Sequence, residues 1–360
     1  MKLGIVGLPN VGKSTLFNAL TGSSVETGAY SNAAAKPNLG AAKVPDERLD
    51  WLAEYWHPKK YSPASIDFVD IAGISPGSGK GNALLQTVRQ TDALVHVVRC
   101  FDNEEIFDEE ADALRDVEIL NMELILADIE VVERRLDKAR KAAKSGEKKA
   151  RREVEMCEAL LAHLSEEKPA RTFPFTEEDH DILQDGGLLT VKPVIYAANL
   201  DEAGMAGCDS NPYFLALQAL AEEQGAAVLP VAAKFEEDIA DMDAEEAAMF
   251  MEELGLTERG LDRLIRTSYD LLGYISFLTA GEDDVHAWTI VRGTKAPRAA
   301  GKIHSDIERG FIRAEIVAFA DLKACGSMAA ARDKGLIRLE GKDYVMQDGD
   351  VTNFRFNVTK

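Results

Sequence analysis

Gly7-Leu8-Pro9-Asn10-Val11-Gly12-Lys13-Ser14 fits the spacing G-x-x-x-x-G-K-[ST], and its reading decides the fold. The apolar run Leu3-Gly4-Ile5-Val6 precedes it and an amphipathic segment, Thr15 to Leu20, follows it. A strand therefore feeds a glycine loop that opens a helix. In such a loop the glycines let the backbone wrap closely, and its N–H groups and the helix dipole bind phosphate oxygens. Lys13 would neutralise β- and γ-phosphate charge, which makes it a candidate catalytic group, and the Ser14 hydroxyl is a candidate Mg²⁺ ligand. Gly7, Pro9, Asn10, Val11, Gly12, Lys13, Ser14 and Thr15 are the candidate nucleotide-binding residues at this end. Asn10 is a residue type that either holds a K⁺ beside the phosphates or braces the loop with its amide.

Outward from this loop, short β-branched runs alternate with helical patterns: Ile66 to Val69, Ala93 to Val98, Val194 to Ala197 and Val228 to Val231. That alternation predicts an α/β domain with a mostly parallel sheet. Asp70-Ile71-Ala72-Gly73 closes the second run, about 60 residues after the glycine loop, where a carboxylate reaches Mg²⁺ through its shell and a glycine senses the γ-phosphate. Asp70 is thus the second candidate metal residue, and Asp70, Gly73 and Ile74 mark a switch. Ile74 stands where many GTPases carry a water-orienting Gln, so fast hydrolysis by that route is not expected. Residues Ile74 to Lys80 are glycine-rich, as a switch loop must be. Asn199-Leu200-Asp201-Glu202 follows the run at Val194, where a guanine reader shows N-K-x-D. Leu200 replaces the Lys and Glu202 the Asp, and the residues alone leave the base open.

The chain has 360 residues, enough for two or three domains. Its 41 Lys and Arg against 62 Asp and Glu give a net charge of −21, which opposes broad attraction to nucleic acid, DNA included, or to anionic lipid. Four cysteines lie far apart without a C-x-x-C pair, so reduced thiols in a cytoplasm are expected rather than zinc or a disulfide framework. No leader and no spanning segment is read.

From Glu118, apolar residues at Ile119, Met122, Leu126, Ile129, Val132 and Leu136 recur every three or four positions, and a second phase follows at Val154, Cys157, Leu161 and Leu164. The spacing predicts an antiparallel helical hairpin over 118–168 with its turn at Ser145-Gly146, inserted in a nucleotide domain spanning 1–277. Ten basic residues crowd Arg134 to Arg152 against Asp137 and Glu147. Lys148, Lys149, Arg151 and Arg152 are the candidate RNA contacts there, the alternative being a solvated helix tip. After Gly281 short strands read as a separate mixed domain, taken as 278–360.

Taken together, GLPNVGKSTLFNAL at the start, DIAG at 70–73, VHVVRCF at 95–101, the N-x-x-E element at 199–202 and the long C-terminal stretches GTKAPRAAGKIHSDIERGFIRAEI and EGKDYVMQDGDVTNFRFNV resemble the Obg-like ATPase (YchF) family over nearly the whole length. The resemblance implies a P-loop domain, an inserted helical hairpin and a C-terminal β-grasp (TGS) domain. It also implies a preference for ATP over GTP, with Asn199 and the Leu200 backbone as base contacts, and association with ribosomes or ribosomal RNA in translation or stress control. Two departures bear on mechanism. The family's first-switch Thr, a Mg²⁺ ligand, is Ala34 here, and the family's His after the VVRCF strand is replaced by Phe107-Asp108. Asp108 is then the candidate to orient water as a general base. Slow or partner-stimulated ATP hydrolysis is expected, with two rivals: a GTPase, and a ribosome- or RNA-binding module in which nucleotide is structural.

Overall fold

A computed structural model describes residues 2–25, 37–74, 77, 83–103, 107, 109–144, 147–179, 187–240 and 242–357. It divides into two units, one of residues 1–41 with 67–264 and one of residues 42–66 with 265–360.

The first unit is built on a six-stranded sheet. Its strands, in chain order, are β1 (Lys2–Val6), β2 (Asn38–Lys43), β4 (Ser65–Asp70), β5 (Ala93–Arg99), β6 (Val194–Asn199) and β7 (Ala227–Val231). Their spatial order is β2-β4-β1-β5-β6-β7. The pairs β1–β4, β1–β5, β5–β6 and β6–β7 are parallel. Every residue of β5 and β6 is buried, as strands covered on both faces must be. The chain steps from β1 to β4 on one side and to β5 on the other, so a crevice opens at the carboxyl ends of the strands. The glycine loop sits there, between β1 and helix α1 (Lys13–Thr21). Ala83–Arg89 forms helix α3, whereas Glu47–Trp56, helix α2, belongs to the second unit.

The helical hairpin consists of α4 (Ala113–Ala143) and α5 (Lys148–Ser165). Ser145-Gly146 lies outside the described residues. The start expected at Glu118 moves back to Ala113, because Asp112 caps the helix by accepting from the Arg115 N–H. The opening turns of α4 serve the sheet: Val117, Leu120 and Leu124 join its core, with Val98, Tyr196 and Leu217. Farther along, Val132 and Leu136 close a separate hairpin core with Met156, Cys157, Leu160 and Leu164.

In the second unit, β3 (Lys60–Ser62), β8 (Tyr274–Ala280), β9 (Asp284–Val291), β10 (Phe311–Ala318), β11 (Arg338–Glu340) and β12 (Asp350–Phe356) form a mixed sheet in the order β11-β10-β12-β8-β9-β3. Ala296, Ala299 and Ala300 of the helix Ala296–Ile303 pack with Ile275, Phe277, Ile290, Ala314, Ile316 and Phe354 of the sheet. A helix across a mixed sheet is the arrangement expected of the C-terminal domain. The division expected after residue 277 differs from the structure in two respects. The unit takes in the helix Gly260–Leu271 from Ile265 onward, and it recruits residues 42–66, whose β3 pairs in parallel with β9 at Lys60↔Asp284, Tyr61↔Val285 and Ser62↔His286.

Candidate functional site

The glycine loop owes its shape to backbone that side chains would obstruct. A Cβ on Gly7 would stand 2.6 Å from the Val97 carbonyl oxygen, and one on Gly12, at φ 98°, would run into the Asn199 amide. Asn10 supplies the remaining left-handed turn at φ 65° and is exposed, as is Pro9. Gly12 caps α1, so the first N–H groups of that helix face the loop, a ready anion site. Val11 is buried beneath it, and Thr15 is half-buried on the first turn of α1.

Lys13 is 6 % exposed and donates from Nζ to the Leu8 carbonyl at 2.5 Å. Burial pulls its ammonium down to about 8, with the Asp70 carboxylate opposing the shift. A buried ammonium with one carbonyl and a nearby carboxylate is poised for a multiply charged anion. Ser14 Oγ donates to Asp70 Oδ2 at 3.0 Å, while Asp70 Oδ1 is buried with no hydrogen-bond partner among the described residues. An orphaned carboxylate oxygen in the interior is costly, and a hydrated cation beside the hydroxyl would satisfy it. The Ser14 and Asp70 oxygen pair therefore fits Mg²⁺, a hard cation that keeps much of its water.

Gly73 lies against the glycine loop: a Cβ there would come within 2.8 Å of both the backbone N and Cα of Pro9. The next residue ties the two segments together, Ile74 N–H donating to the Gly7 carbonyl at 3.2 Å. Ile74 itself is 1 % exposed and packs into the core, so its side chain offers nothing to a water molecule.

On the base side, Asn199 carries a structural duty, which leaves one of its two amide N–H bonds without a partner among the described residues. Its Nδ2 donates to the Val11 carbonyl at 2.9 Å and its Oδ1 accepts from Ala233 N–H at 3.0 Å, so the side chain braces the glycine loop against the end of β7. Leu200 N–H is likewise engaged, donating to the Val231 carbonyl at 2.8 Å, and the Leu200 side chain is buried. Of that backbone only the carbonyl is left for a base. Glu202 is exposed on the first turn of a short helix, Glu202–Ala206, capped by Asp201.

Three features escape the sequence reading. Ala233, just past β7, supplies the N–H that Asn199 needs; its signal was its place at a strand end beside the base element. Arg99, 3 % exposed, closes β5 by donating to the Glu109 and Glu110 carbonyls with its guanidinium 3.9 Å from the Phe107 ring centroid. Asp102 joins that loop to the base side, accepting from Ala111 N–H at 2.6 Å and from Tyr213 Oη at 2.8 Å. Asp108 and Ala34 lie outside the described residues.

The basic tip of the hairpin is less open than its composition implies. Arg135 pairs with Glu153 and Arg140 with Glu158. Arg152 donates Nε and Nη2 to Asp179, which is 2 % exposed, at 3.1 and 2.9 Å. Arg152 thus holds the interior, because a buried carboxylate demands a partner. Lys148, Lys149 and Arg151 remain exposed. Among the described residues no helix is long and apolar enough to cross a membrane, and no group of three His, Cys, Asp or Glu is placed to hold a metal.

Two family models match the chain. One, described as a 50S ribosome-binding GTPase, covers residues 2–127; the other, the YchF-GTPase C-terminal model, described as a protein of unknown function, covers 274–357. The ribosome-binding ATPase YchF of Bacillus subtilis (strain 168) is 49 % identical, with 99 % of each chain covered. The Obg-like ATPase 1 of Oryza sativa subsp. japonica is 41 % identical over all of this chain and 93 % of its own. Among solved structures, the Schizosaccharomyces pombe YchF GTPase superposes with a TM-score of 0.87 at 38 % identity, covering 99 % of this chain and 97 % of that one.

Proposed function

Because the chain belongs to the YchF family of Obg-like ATPases, we propose that it binds ATP with Mg²⁺ at the glycine loop, hydrolyses it slowly or when a partner stimulates it, and thereby switches its hold on a ribosome in the cytoplasm. The observation that carries this reading is the trio of Lys13, Ser14 and Asp70 at the carboxyl edge of the sheet, its lysine and carboxylate buried. Lys13 sits under the loop, Ser14 Oγ donates to Asp70, and Asp70 Oδ1 has no partner among the described residues.

Each part has a distinct task. The first N–H groups of α1 and the loop amides hold phosphate oxygens, and Lys13 exchanges its Leu8 contact for them. Ser14 and Asp70 would hold Mg²⁺, which when bound would supply charge neutralisation to the phosphates. Gly73, close against Pro9, offers its backbone to the γ-phosphate, so the segment after β4 registers whether that phosphate is present. Selection for adenine rests on Leu200: with its N–H taken, its carbonyl accepts from an adenine amino group, whereas the guanine O6 would meet it acceptor to acceptor. Asn10 is assigned to K⁺ and Asp108 to orienting the attacking water. Lys148, Lys149 and Arg151, without Arg152, are assigned to ribosomal RNA phosphates.

The test is isothermal titration with non-hydrolysable ATP and GTP analogues in Mg²⁺ with K⁺ or Na⁺, then single-turnover hydrolysis on the same preparation. ATP binding that needs Mg²⁺, exceeds GTP binding and leads to measurable turnover supports a working ATPase. Equal or tighter GTP binding removes the Leu200 argument, and equal activity in Na⁺ and K⁺ removes the role given to Asn10. Ribosome co-sedimentation that ignores the nucleotide state removes the switch.

A further inference from the structure

On the flank of the first unit, away from the phosphate loop, an open cleft of about 520 Å³ lies between α4, the segment after α5 and the helix Pro212–Gln224. Its floor is an amide pair whose orientation is fixed from below. Arg171 Nη2 donates to Asn121 Oδ1 at 3.4 Å and to Gln224 Oε1 at 2.9 Å, and Tyr196 Oη donates to the same Gln224 oxygen at 2.8 Å. With both carbonyl oxygens engaged, the amide NH₂ groups are what the floor has to offer. The guanidinium behind them has no carboxylate partner among the described residues, and its Nε is buried without an acceptor. Its charge polarises both amides and makes them stronger donors.

The rim has the opposite character. Glu118, Glu167 and Glu223 are exposed on three different segments, and none has an ion-pair partner among the described residues. Lys168, the one lysine or arginine lining the cleft among the described residues, is already paired with Glu166 at 2.7 Å, and His163, also in the lining, is engaged with Thr172 Oγ1 at 2.9 Å. Leu114, Met122 and Leu220 line the wall between floor and rim. Donors below, apolar surface beside and unneutralised carboxylates above ask for a ligand with carbonyl oxygens, an apolar side chain and positive charge. A free carboxylate fails at the rim.

We infer that this cleft is a docking site for a basic peptide segment of a partner protein, whose backbone carbonyls accept from Asn121 and Gln224 while its Lys or Arg side chains reach Glu118, Glu167 and Glu223. The inference is independent of the nucleotide reading. The probe is a fluorescein-labelled, acetylated and amidated peptide alternating Leu and Arg, with a Leu and Glu peptide of equal length as comparison, followed by anisotropy with the full chain. Because an acidic protein attracts cations generally, the groove double variant Glu118→Gln/Glu223→Gln is matched by a remote one, Glu252→Gln/Glu253→Gln, which removes the same charge from an exposed helix.

The expected result is binding of the basic probe alone, weakened roughly fivefold by the groove pair and within about twofold of the parent for the remote pair. Equal losses in both doubles, equal binding of the two probes, or no binding overturns the inference. Self-association in sedimentation that the groove pair alone abolishes assigns the cleft to a second copy and also overturns it. Binding of an ATP analogue by both doubles, measured on the same samples, keeps the outcome separate from the nucleotide site.

Discussion

Replacing Asn199 with Ala tests its part as a brace of the glycine loop. The side chain is 5 % exposed, and both its polar ends are used inside the protein, one on the Val11 carbonyl at 2.9 Å and one on the Ala233 N–H at 3.0 Å. Truncation leaves a buried acceptor and a buried donor unpaired. At about 1–3 kcal/mol for each of the two orphaned groups, the nucleotide-free protein loses roughly 2–6 kcal/mol. In a domain of this size each kcal/mol is worth about 2–4 °C, so the melting midpoint of the first unit should fall by roughly 4–24 °C before any nucleotide is added. Differential scanning calorimetry with and without an ATP analogue measures both effects. Gly12→Ala attacks the same amide from the other side, so the two substitutions should be strongly non-additive in a double-mutant cycle. A nucleotide-free Asn199→Ala protein melting within about 1 °C of the parent, with only its ATP affinity reduced, would refute the bracing argument.

Lys13→Met should abolish nucleotide binding yet stabilise the nucleotide-free protein near neutral pH. The folded-state value of about 8 lies below the ordinary 10.5, so below about pH 8 the ammonium is charged in both states and folding carries the full burial penalty. Between about 8 and 10.5 the unfolded chain binds more protons than the folded one, and stability of the parent rises with pH. The advantage of Lys13→Met, on the order of 3 kcal/mol at pH 7, should therefore shrink across that window; a gap in urea midpoint that is constant from pH 7 to 10 contradicts it. Gly73→Ala, forced against the Pro9 backbone, should weaken ATP-analogue binding at least tenfold and also lower the urea midpoint, because Ile74 is held to the Gly7 carbonyl and buried in the core and so resists the shift; an unchanged affinity contradicts it. Arg152→Ala should destabilise the protein by about 1–3 kcal/mol because Asp179 loses its guanidinium and keeps only its Thr176 contacts, whereas Lys148→Ala should be neutral in chemical denaturation.

What was legible in the sequence is what chemistry writes locally. The glycine loop, its strand and its helix announce themselves because every member is within a dozen residues of the next, and five parallel strands follow from continuous apolar runs. The hairpin was visible through its periodicity, but its first turn was not: Leu114 is exposed, and the start depends on the single capping oxygen of Asp112. Arg152 read as one of four candidate RNA contacts, since nothing near it in sequence reveals Asp179, 27 positions on. The role of Asn199 was hidden for a related reason. Its partners, Val11 and Ala233, belong to the loop after β1 and the end of β7, brought together only by the sheet order. The edge strand β2, with its alternating exposure, and the three-residue β3 carry too little apolar signal to be read alone.

The pairing of β3 with β9 also sets a timetable for synthesis. Lys60 leaves the ribosome 224 residues before Asp284, its register partner, and Arg48 some 300 before Asp348, with which it forms two hydrogen bonds. At roughly 5–20 residues per second, the α2–β3 segment waits on the order of 10–60 s for the strands that complete its sheet. Throughout that interval Leu49 and Leu52, fully buried at the end, have no finished core to enter. A nascent chain stalled near residue 270 would therefore carry an early segment that is made, exposed and waiting, a natural client for a holding chaperone until the last ninety residues emerge.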